Sequence, residues 1–177
     1  GAILGVAGVS GNGQSDLAKA LAGIRRIDGG RVFLEGSEVG NSSVESLTRK
    51  GISYIPDDRH LLGMFPGLKI KENLLIKEYN RPPYSRFGLQ DRRRIDKHAR
   101  EIVASYNIKT PSIELPMKSL SGGNQQKVVL AREFSLKPKI IIADQPTRGL
   151  DVGAIEYIHK MLLQGKSNGL AILLIST

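Results

Sequence analysis

The sequence contains no cysteine and no tryptophan, and only 3 histidines among its 177 residues. Without cysteine the chain cannot form a disulfide, use a thiol nucleophile or bind zinc through sulfur, which fits a reducing compartment. Three histidines leave little material for a histidine-ligated metal centre. Aromatic residues make up 5% of the chain, so there is little surface on which nucleic-acid bases could stack.

Long apolar runs are missing too. No stretch approaches the ~20 apolar residues needed to cross a bilayer, and no basic segment with an apolar continuation opens the chain. We therefore expect a soluble, unsecreted protein. Because the chain starts at Gly1 and enters an apolar run at once, we also expect it to be a piece of a longer protein, cut at both ends.

The length suits one domain with a real core. Hydrophobic residues at 40%, with 20 glycines and 8 prolines, indicate an ordered, turn-rich fold. The net charge of +9 is concentrated, since seven basic and two acidic residues between Arg81 and Arg100 give a local charge of +5. Such a segment is either a solvated helix face or a docking surface for a partner.

Apolar runs and amphipathic segments alternate along the chain. The predicted strands are Gly1–Gly8, Arg31–Leu34, Ile52–Ile55, Ile140–Ala143 and Ala171–Ile175. The predicted helices cover Ser15–Leu21, Glu72–Lys77, a longer segment carrying Ile95, Ile102, Val103 and Tyr106, a segment opening at Ser121, and Val152–Gln164. The pattern predicts an α/β fold with a parallel sheet covered on both faces and a helical insert between Lys69 and Leu120.

A glycine-rich loop follows the first predicted strand and opens the first helix. It consists of Gly8, Val9, Ser10, Gly11, Asn12, Gly13, Gln14 and Ser15. In this context backbone N–H groups can wrap a phosphate, and the Ser15 hydroxyl stands where it would hold Mg²⁺. The position of the usual phosphate-binding lysine holds Gln14, so a purely structural turn remains an alternative at this stage.

A second candidate lies at the end of the strand Ile140–Ala143. Asp144 follows it, which puts a carboxylate at the carboxyl edge of the sheet, where ligands of α/β proteins bind. Asp144 can there reach a water of Mg²⁺, although capping of the strand is a simpler interpretation. The next residue is Gln145, whose amide cannot act as a general base.

The third candidate opens the helix after the insert. Leu120, Ser121, Gly122 and Gly123 are followed by three amides, Asn124, Gln125 and Gln126, and then by Lys127. A serine and two glycines at a helix start leave backbone N–H groups exposed at the positive end of the helix dipole, which favours an anion. A serine-capped helix accounts for Ser121 but gives no reason for the glycine pair.

These motifs together resemble the nucleotide-binding domain of ATP-binding cassette (ABC) transporters over essentially the whole chain. LSGGNQQK matches the signature of that family in its sugar-uptake form, and Gly149-Leu150-Asp151 matches its loop that contacts the opposite subunit. The segments IPDDRH from Ile55, PPYS from Pro82, NIKTP from Asn107 and QPTRGLDVGAIE from Gln145 resemble the carboxyl-terminal half of double-cassette ATPases for sugar and nucleoside uptake.

The resemblance implies a P-loop NTPase with a parallel-sheet core, a small antiparallel β part and an inserted helical subdomain. The core would cover residues 1–69 and 121–177, and the subdomain residues 70–120, within one domain spanning 1–177. ATP would be bound by Gly8, Ser10, Gly11, Asn12, Gly13, Gln14, Ser15 and Asp16. Mg²⁺ would be held by Ser15, Asp57 and Asp144, the signature would comprise Leu120–Gln125, and Asp151 would serve the loop to the opposite subunit.

Four positions depart from the family pattern. Gln14 replaces the lysine, Gln145 the catalytic glutamate, Asp57 a glutamine and Thr177 the switch histidine, the last at the end of the chain. The resemblance therefore implies a degenerate ATP site combined with an intact signature. This signature would complete the site of a second cassette, in a head-to-tail arrangement within the same polypeptide.

The implied partners are membrane permease subunits and, indirectly, an extracellular substrate-binding protein, at the cytoplasmic face of the cell membrane. Nucleic acid is not expected. Two alternatives stay open from the sequence: a non-transport cassette protein acting on nucleic acid or the ribosome through the Arg92–Arg94 cluster, and a regulatory domain that binds no nucleotide.

Overall fold

The computed structural model describes residues 1–9 and 11–176. Its strands are β1 Ala2–Ala7, β2 Phe33–Leu34, β3 Ser37–Glu38, β4 Ile52–Ile55, β5 Ser85–Arg86, β6 Leu89–Gln90, β7 Ile140–Asp144 and β8 Ala171–Ser176. Its α-helices are α1 Gln14–Leu21, α2 Val44–Arg49, α3 Ile70–Leu75, α4 Arg92–Ser105, α5 Gly122–Ser135 and α6 Val152–Ser167. None of the helices in the described residues combines the length and apolar character needed to span a bilayer.

The chain forms two compact units. The first contains Gly1–Asp57, Leu136–Arg148 and Ile155–Thr177, and the second contains Asp58–Ser135 and Gly149–Ala154. The boundaries predicted at residues 70 and 120 fall inside the second unit and stay predictions.

The first unit is built on a four-stranded sheet in the order β1-β8-β7-β4. All three pairings are parallel, with Ala2 opposite Ala171, Ile140 opposite Ala171 and Ile52 opposite Ile140. Parallel strands end at the same edge of a sheet, so the loops that follow β1, β4 and β7 all start there. The predicted parallel α/β core is confirmed.

The apolar core of this unit lies between the sheet and the helices α1 and α2. Its buried residues are Ala18, Ala22, Val39, Leu47, Ile52, Tyr54, Ile142, Leu173 and Ile175. The branched side chains of β4, β7 and β8 suit strands covered by helices, and α1 and α2 contribute Ala18 and Leu47 from their inward faces. Burial of this apolar surface is the main stabilising contribution to the unit.

A sheet covered on both faces, as predicted, would bury the apolar first strand, and this prediction is wrong for β1. β1 lies at the edge of the sheet, and its Leu4 is 66% exposed. The edge position does not explain this, since β4 lies at the other edge and all four of its residues are buried. Side chains project from the faces of a sheet, so their burial depends on what packs against those faces. The strand predicted over Arg31–Leu34 is also shorter, because only Phe33–Leu34 pairs, antiparallel with Ser37–Glu38.

The second unit is mainly helical. Helix α3 packs against α4 and α5, and α4 also contacts α5. Ile95, Ala99 and Ile102 form the buried face of α4, as the amphipathic pattern predicted, although the helix ends at Ser105 and Tyr106 follows it. Two features were not predicted: the antiparallel pair β5–β6 and a π-helical turn at Arg59–Gly63, capped by Asp58.

Candidate functional site

The glycine-rich loop leads from β1 into α1 in the first unit. Gly11 and Gly13 have φ angles of 93° and 90°, a left-handed conformation that glycine adopts without the cost imposed by a Cβ atom. Gly13 is the N-cap of α1, and its carbonyl accepts a hydrogen bond from the Leu17 N–H at 2.9 Å. The loop thus places the N-terminus of α1, the positive end of the helix dipole, at the edge of the sheet. Helix N-termini in this position can bind phosphate. Ser10 lies outside the described residues.

The side chain of Gln14 lies inside this loop. Its Nε2 donates to the Val9 carbonyl oxygen at 3.2 Å. A Cβ atom at position 8 would overlap the Gln14 amide, so Gly8 leaves the room that the side chain occupies. Gln14 therefore closes the loop as a neutral donor, where a lysine would bring a positive charge.

Asp144 and Ser15 meet at the carboxyl edge of the sheet. The Ser15 hydroxyl donates to Asp144 Oδ1 at 3.3 Å, across 129 residues of sequence. Asp144 is fully buried at the end of β7. The structure thus brings together two of the three residues predicted to hold Mg²⁺.

A second hydrogen bond to this carboxylate was not predicted from the sequence. The Tyr54 hydroxyl, on β4, donates to Asp144 Oδ2 at 3.5 Å. Burial raises the pKa of Asp144, and the neighbouring Asp57 adds to the rise, while hydrogen bonds from Ser15 and Tyr54 oppose it. Burial, followed by the charge of Asp144, raises the pKa of Tyr54, so the phenol stays protonated and acts as a donor.

Two predicted residues lie further along the same edge. Asp57 follows β4, its side chain is 17% exposed, and its Oδ2 lies 3.8 Å from Arg148 Nη1. Gln145 follows Asp144 with a left-handed φ of 49°, and its N–H donates to the Ile175 carbonyl at 2.9 Å. Asp16, at the start of α1, forms an exposed ion pair with Arg25. Thr177 lies outside the described residues.

The edge residues fit a nucleotide phosphate with a divalent cation. The loop offers a helix N-terminus and left-handed glycines for the phosphate, and Ser15 with Asp144 offers a hydroxyl and a carboxylate, the oxygen ligands that Mg²⁺ prefers. In the described residues no cluster of three acidic or histidine side chains could hold a metal by itself. A cation bound here would therefore depend on oxygens of the phosphate as well.

The signature segment lies in the second unit. Helix α5 starts at Gly122, and the Ser121 carbonyl accepts the Gln125 N–H at 2.8 Å. Asn124 Nδ2 donates to Ser121 Oγ at 3.0 Å, and Asn124 Oδ1 accepts the Lys109 N–H at 2.8 Å. The amides that follow the glycines thus fix the helix start: Asn124 orients the serine, and the nearly buried Gln125 donates to the Leu120 carbonyl at 3.1 Å.

The glycine pair allows close packing at the start of α5. A Cβ atom on Gly122 would lie 3.1 Å from Arg59 Nη2, and one on Gly123 would lie 3.2 Å from Ala154 Cβ and 3.4 Å from Asp151 Oδ2. Asp151 Oδ1 also accepts the Ala154 N–H at 2.8 Å at the start of α6. Arg59 and Asp151 thus flank the first turn of α5.

The glycine-rich loop beside the buried Asp144 and the two glycines at the start of α5 agree with what comparisons with known proteins show. The family model for the ABC transporter matches residues 1–148. The chain belongs to the ABC transporter family. This family membership confirms the resemblance inferred from the motifs.

Two relatives within the family are import ATP-binding proteins of bacteria. The chain is 42% identical over 176 residues to the nucleoside import ATP-binding protein NupA of Lactococcus lactis subsp. cremoris, covering 99% of this chain and 35% of that protein. It is 44% identical over 176 residues to the guanosine import ATP-binding protein NupO of Bacillus subtilis, covering 99% of this chain and 34% of that protein. The chain thus spans about a third of the length of these relatives.

A solved structure shares the fold. A nucleotide-free ATP-binding cassette from an ABC transporter superposes with a TM-score of 0.79 at 26% identity, covering 98% of this chain and 69% of that one. The parallel sheet, the small antiparallel sheets and the helices are therefore those of an ABC cassette.

Proposed function

We propose that this chain is the ATP-binding part of an importer for nucleosides, that its own ATP site is degenerate, and that its signature completes the ATP site of a second cassette. The relatives whose names include nucleoside or guanosine import support the substrate class, with simple sugars as the alternative. The observation that carries the asymmetric mechanism is the contrast between an intact signature and the two amides at positions 14 and 145.

In its own pocket the chain would bind ATP through the glycine-rich loop. The Ser15 hydroxyl and the Asp144 carboxylate would hold Mg²⁺, which when bound neutralises charge on the phosphates. Gln14 can donate an N–H from its amide but brings no positive charge. Loss of a charge-assisted contact is worth about 1.5 to 3 kcal/mol, so affinity would be roughly 10- to 150-fold weaker than with lysine.

Hydrolysis in this pocket would be close to background. The attacking water needs a base, and the amide of Gln145 cannot accept its proton. General-base catalysis contributes about 10² to 10⁴ in rate, so a pocket without it is retained for binding rather than turnover.

The signature would act on the other cassette's nucleotide. Ser121 and the N–H groups of Gly122 and Gly123 lie at the positive end of α5, whose first turn is fixed by Asn124 and Gln125. Donors fixed in place before the reaction stabilise the charge that develops on a transferred phosphoryl group. Asp151, at the start of α6, would contact the opposite cassette.

The second unit would carry the contact with the permease. A groove of about 850 Å³ runs between α3 and the start of α4, and apolar residues including Leu68, Leu75 and Tyr79 line it together with charges of both signs. A groove of this chemistry fits a short protein segment of a membrane subunit. This contact would hold the chain at the cytoplasmic face of the membrane. An extracellular substrate-binding protein would then affect the chain only indirectly, through the permease.

The test compares steady-state ATPase rates of the intact transporter carrying Gly122→Asp or Gln145→Ala. The first variant puts a carboxylate against the phosphate of the other cassette and should abolish turnover and transport. The second should keep the rate within about threefold, because the general base is already absent. If Gln145→Ala costs as much as Gly122→Asp, this pocket is catalytic and the asymmetric mechanism is wrong.

A further inference from the structure

The pair β5–β6 forms a small hairpin, Ser85–Gln90, whose apolar side chains are unusually exposed. Phe87 is 90% exposed and Leu89 78%, the two highest values among the large hydrophobic residues of the described chain. Ser85 pairs with Gln90 and Arg86 with Leu89, so Phe87 and Gly88 form a two-residue turn at the tip. The apolar surface of this hairpin is therefore carried at its outermost end.

The backbone at the tip favours a residue other than phenylalanine. Phe87 and Gly88 have φ angles of 54° and 78°, so both central residues of the turn are left-handed. Two-residue hairpin turns of this kind favour asparagine or aspartate followed by glycine, because a bulky side chain is strained at positive φ. A bulky aromatic residue is thus held in a strained, solvent-exposed position, a combination that points to a role for its side chain.

The base of the hairpin is fixed to α4. The Asp91 N–H donates to the Tyr84 carbonyl at 2.8 Å, and the buried Tyr84 ring lies 5.3 Å from the ring of His98. Asp91 is also the N-cap of α4, accepting the Arg94 N–H at 3.1 Å. The apolar tip is thus mounted on a folded helix and does not belong to a free loop.

Four arginines lie within this hairpin or shortly after it in the sequence. From Ser85 to Arg94 the sequence holds four of them, Arg86, Arg92, Arg93 and Arg94, and a single acidic residue, Asp91. Asp91 forms an ion pair with Arg94, in which Asp91 Oδ2 lies 3.1 Å from Arg94 Nε. The Arg86 guanidinium lies 5.2 Å from the centre of the Phe87 ring, so charge and aromatic surface are directly adjacent.

We propose that the hairpin Ser85–Gln90 is a membrane-surface anchor, with Phe87 and Leu89 entering the headgroup region of an anionic leaflet and the arginines of the same segment binding lipid phosphates. An apolar tip next to basic side chains is suited to an anionic bilayer. Such a bilayer attracts basic residues, and aromatic and aliphatic side chains can enter it without a shaped pocket. The neighbouring groove differs, since its charged lining is balanced between three basic and three acidic side chains, which suits a protein segment. These are Lys69, Lys71, Arg92, Glu72, Asp96 and Glu114.

This inference rests on the proposed place of the chain in a transporter, because that function brings the hairpin to a membrane. It adds a direct contact with lipid to the contact with the permease. The hairpin would help to orient the second unit at the bilayer whether or not nucleotide is bound.

The test measures cosedimentation of the intact polypeptide with vesicles of phosphatidylcholine alone or of phosphatidylcholine with phosphatidylglycerol. We expect binding to the anionic vesicles that weakens as salt is raised. Phe87→Asn with Leu89→Thr should weaken binding to the anionic vesicles at least tenfold. These substitutions should keep the hairpin folded, because asparagine is favoured at this φ and threonine is favoured in a strand. Arg86→Gln and Arg93→Gln should each weaken this binding by about fivefold.

The matched control is Phe33→Thr with Leu163→Gln, which removes two other large side chains, each 56% exposed, and should leave vesicle binding unchanged. Copurification of the Phe87→Asn, Leu89→Thr variant with permease subunits in detergent should also be unchanged. Loss of the permease in detergent would show that the hairpin binds protein, and wild-type vesicle binding by this variant would show that it does not touch lipid; either result overturns the proposal. Failure of the proposed transport function would appear separately, in the ATPase rate of the Gly122→Asp variant.

Discussion

Lys77 Nζ lies 2.6 Å from Glu133 Oε2, and this ion pair joins the segment after α3 to the helix that carries the signature. Glu133 is fully buried, and its Oε1 also accepts a hydrogen bond from Arg132 Nε at 2.8 Å. Burial alone would raise the pKa of Glu133, but the two cations outweigh it and the net shift is downward. The carboxylate is therefore ionised inside the helical unit and depends on its partners.

Replacing Lys77 by methionine should destabilise the protein. The change leaves Glu133 buried with one cation instead of two, and we expect the free energy of unfolding to fall by about 1.5 to 3 kcal/mol, the contribution of one charged hydrogen bond. Adding Glu133→Gln to this variant should recover part of the loss, because a neutral amide needs no counter-charge. Urea denaturation measures both variants.

The control for this experiment is Lys166→Met, which removes an exposed lysine from α6. It should change the free energy of unfolding by less than about 0.5 kcal/mol. A Lys77→Met variant as stable as this control would show that Arg132 alone neutralises the buried carboxylate.

A second prediction concerns acid stability. Glu114 lies between Lys69 and Lys71, at 2.8 Å and 2.5 Å, and hydrogen bonds from both lysines lower its pKa to about 2. Because the folded-state pKa is below that of the unfolded chain, the contribution is complete above about pH 4.5 and is lost as the pH falls toward about 2. Glu114→Gln should therefore lower stability at neutral pH and make little difference at the acid end of this range.

The effect will be modest, within about 1 kcal/mol, since the carboxylate is exposed to solvent. Denaturation midpoints at about pH 6 and about pH 3 give the comparison. Glu156→Gln, at an exposed position on α6, is the control and should shift both midpoints equally. A Glu114→Gln variant with the same deficit at both pH values would contradict the pairing.

The sequence predicts contacts of the site that follow from the order of strands and loops. It does not predict contacts that depend on which buried side chains face each other. Ser15 and Asp144 were expected at one edge of the sheet because both follow strands of a parallel α/β pattern, and they lie 3.3 Å apart. Their roles in binding magnesium stay predictions. Tyr54 was not foreseen, since all four residues of β4 are buried and its apolar pattern does not show which side chain faces the acid.

Short elements were missed for other reasons. Helix α2 has six residues and is not among the predicted helices, although Ser43 accepts the Ser46 N–H as an N-cap at 3.2 Å and serine is a common N-cap. The hairpin Ser85–Gln90 lacks the usual asparagine or aspartate before glycine, so its turn could not be recognised from residue preferences. The packing of Arg59 against Gly122 depends on tertiary structure alone.

The third prediction tests the neutral residue in the phosphate loop. Gln14→Lys should tighten ATP binding by at least about tenfold, because it restores a charge-assisted contact to the phosphates. Turnover by this pocket should stay at background, since Gln145 still provides no base. Titration with ATP and a single-turnover assay separate the two quantities.

Gln164→Lys adds the same charge at an exposed position on α6 and should not change the affinity. Tighter binding by both lysine variants would mean that net charge, and not the loop, sets the affinity. A gain in turnover with Gln14→Lys alone would mean that the missing base is not what limits this pocket.

The strand order also sets when the pocket can form during synthesis. β8 comes last of the four parallel strands along the chain, yet it lies between β1 and β7. The glycine-rich loop after β1 and the acid after β7 are therefore aligned only when Ala171–Ser176 has left the ribosome and inserted between them. Among the described strands β8 is the neighbour that pairs with β1, so until it is made the backbone of β1 is open to pairing with other chains. A pocket built from both loops would therefore form only after β8 has been made, and nucleotide binding to it would report that β8 has inserted between its neighbours.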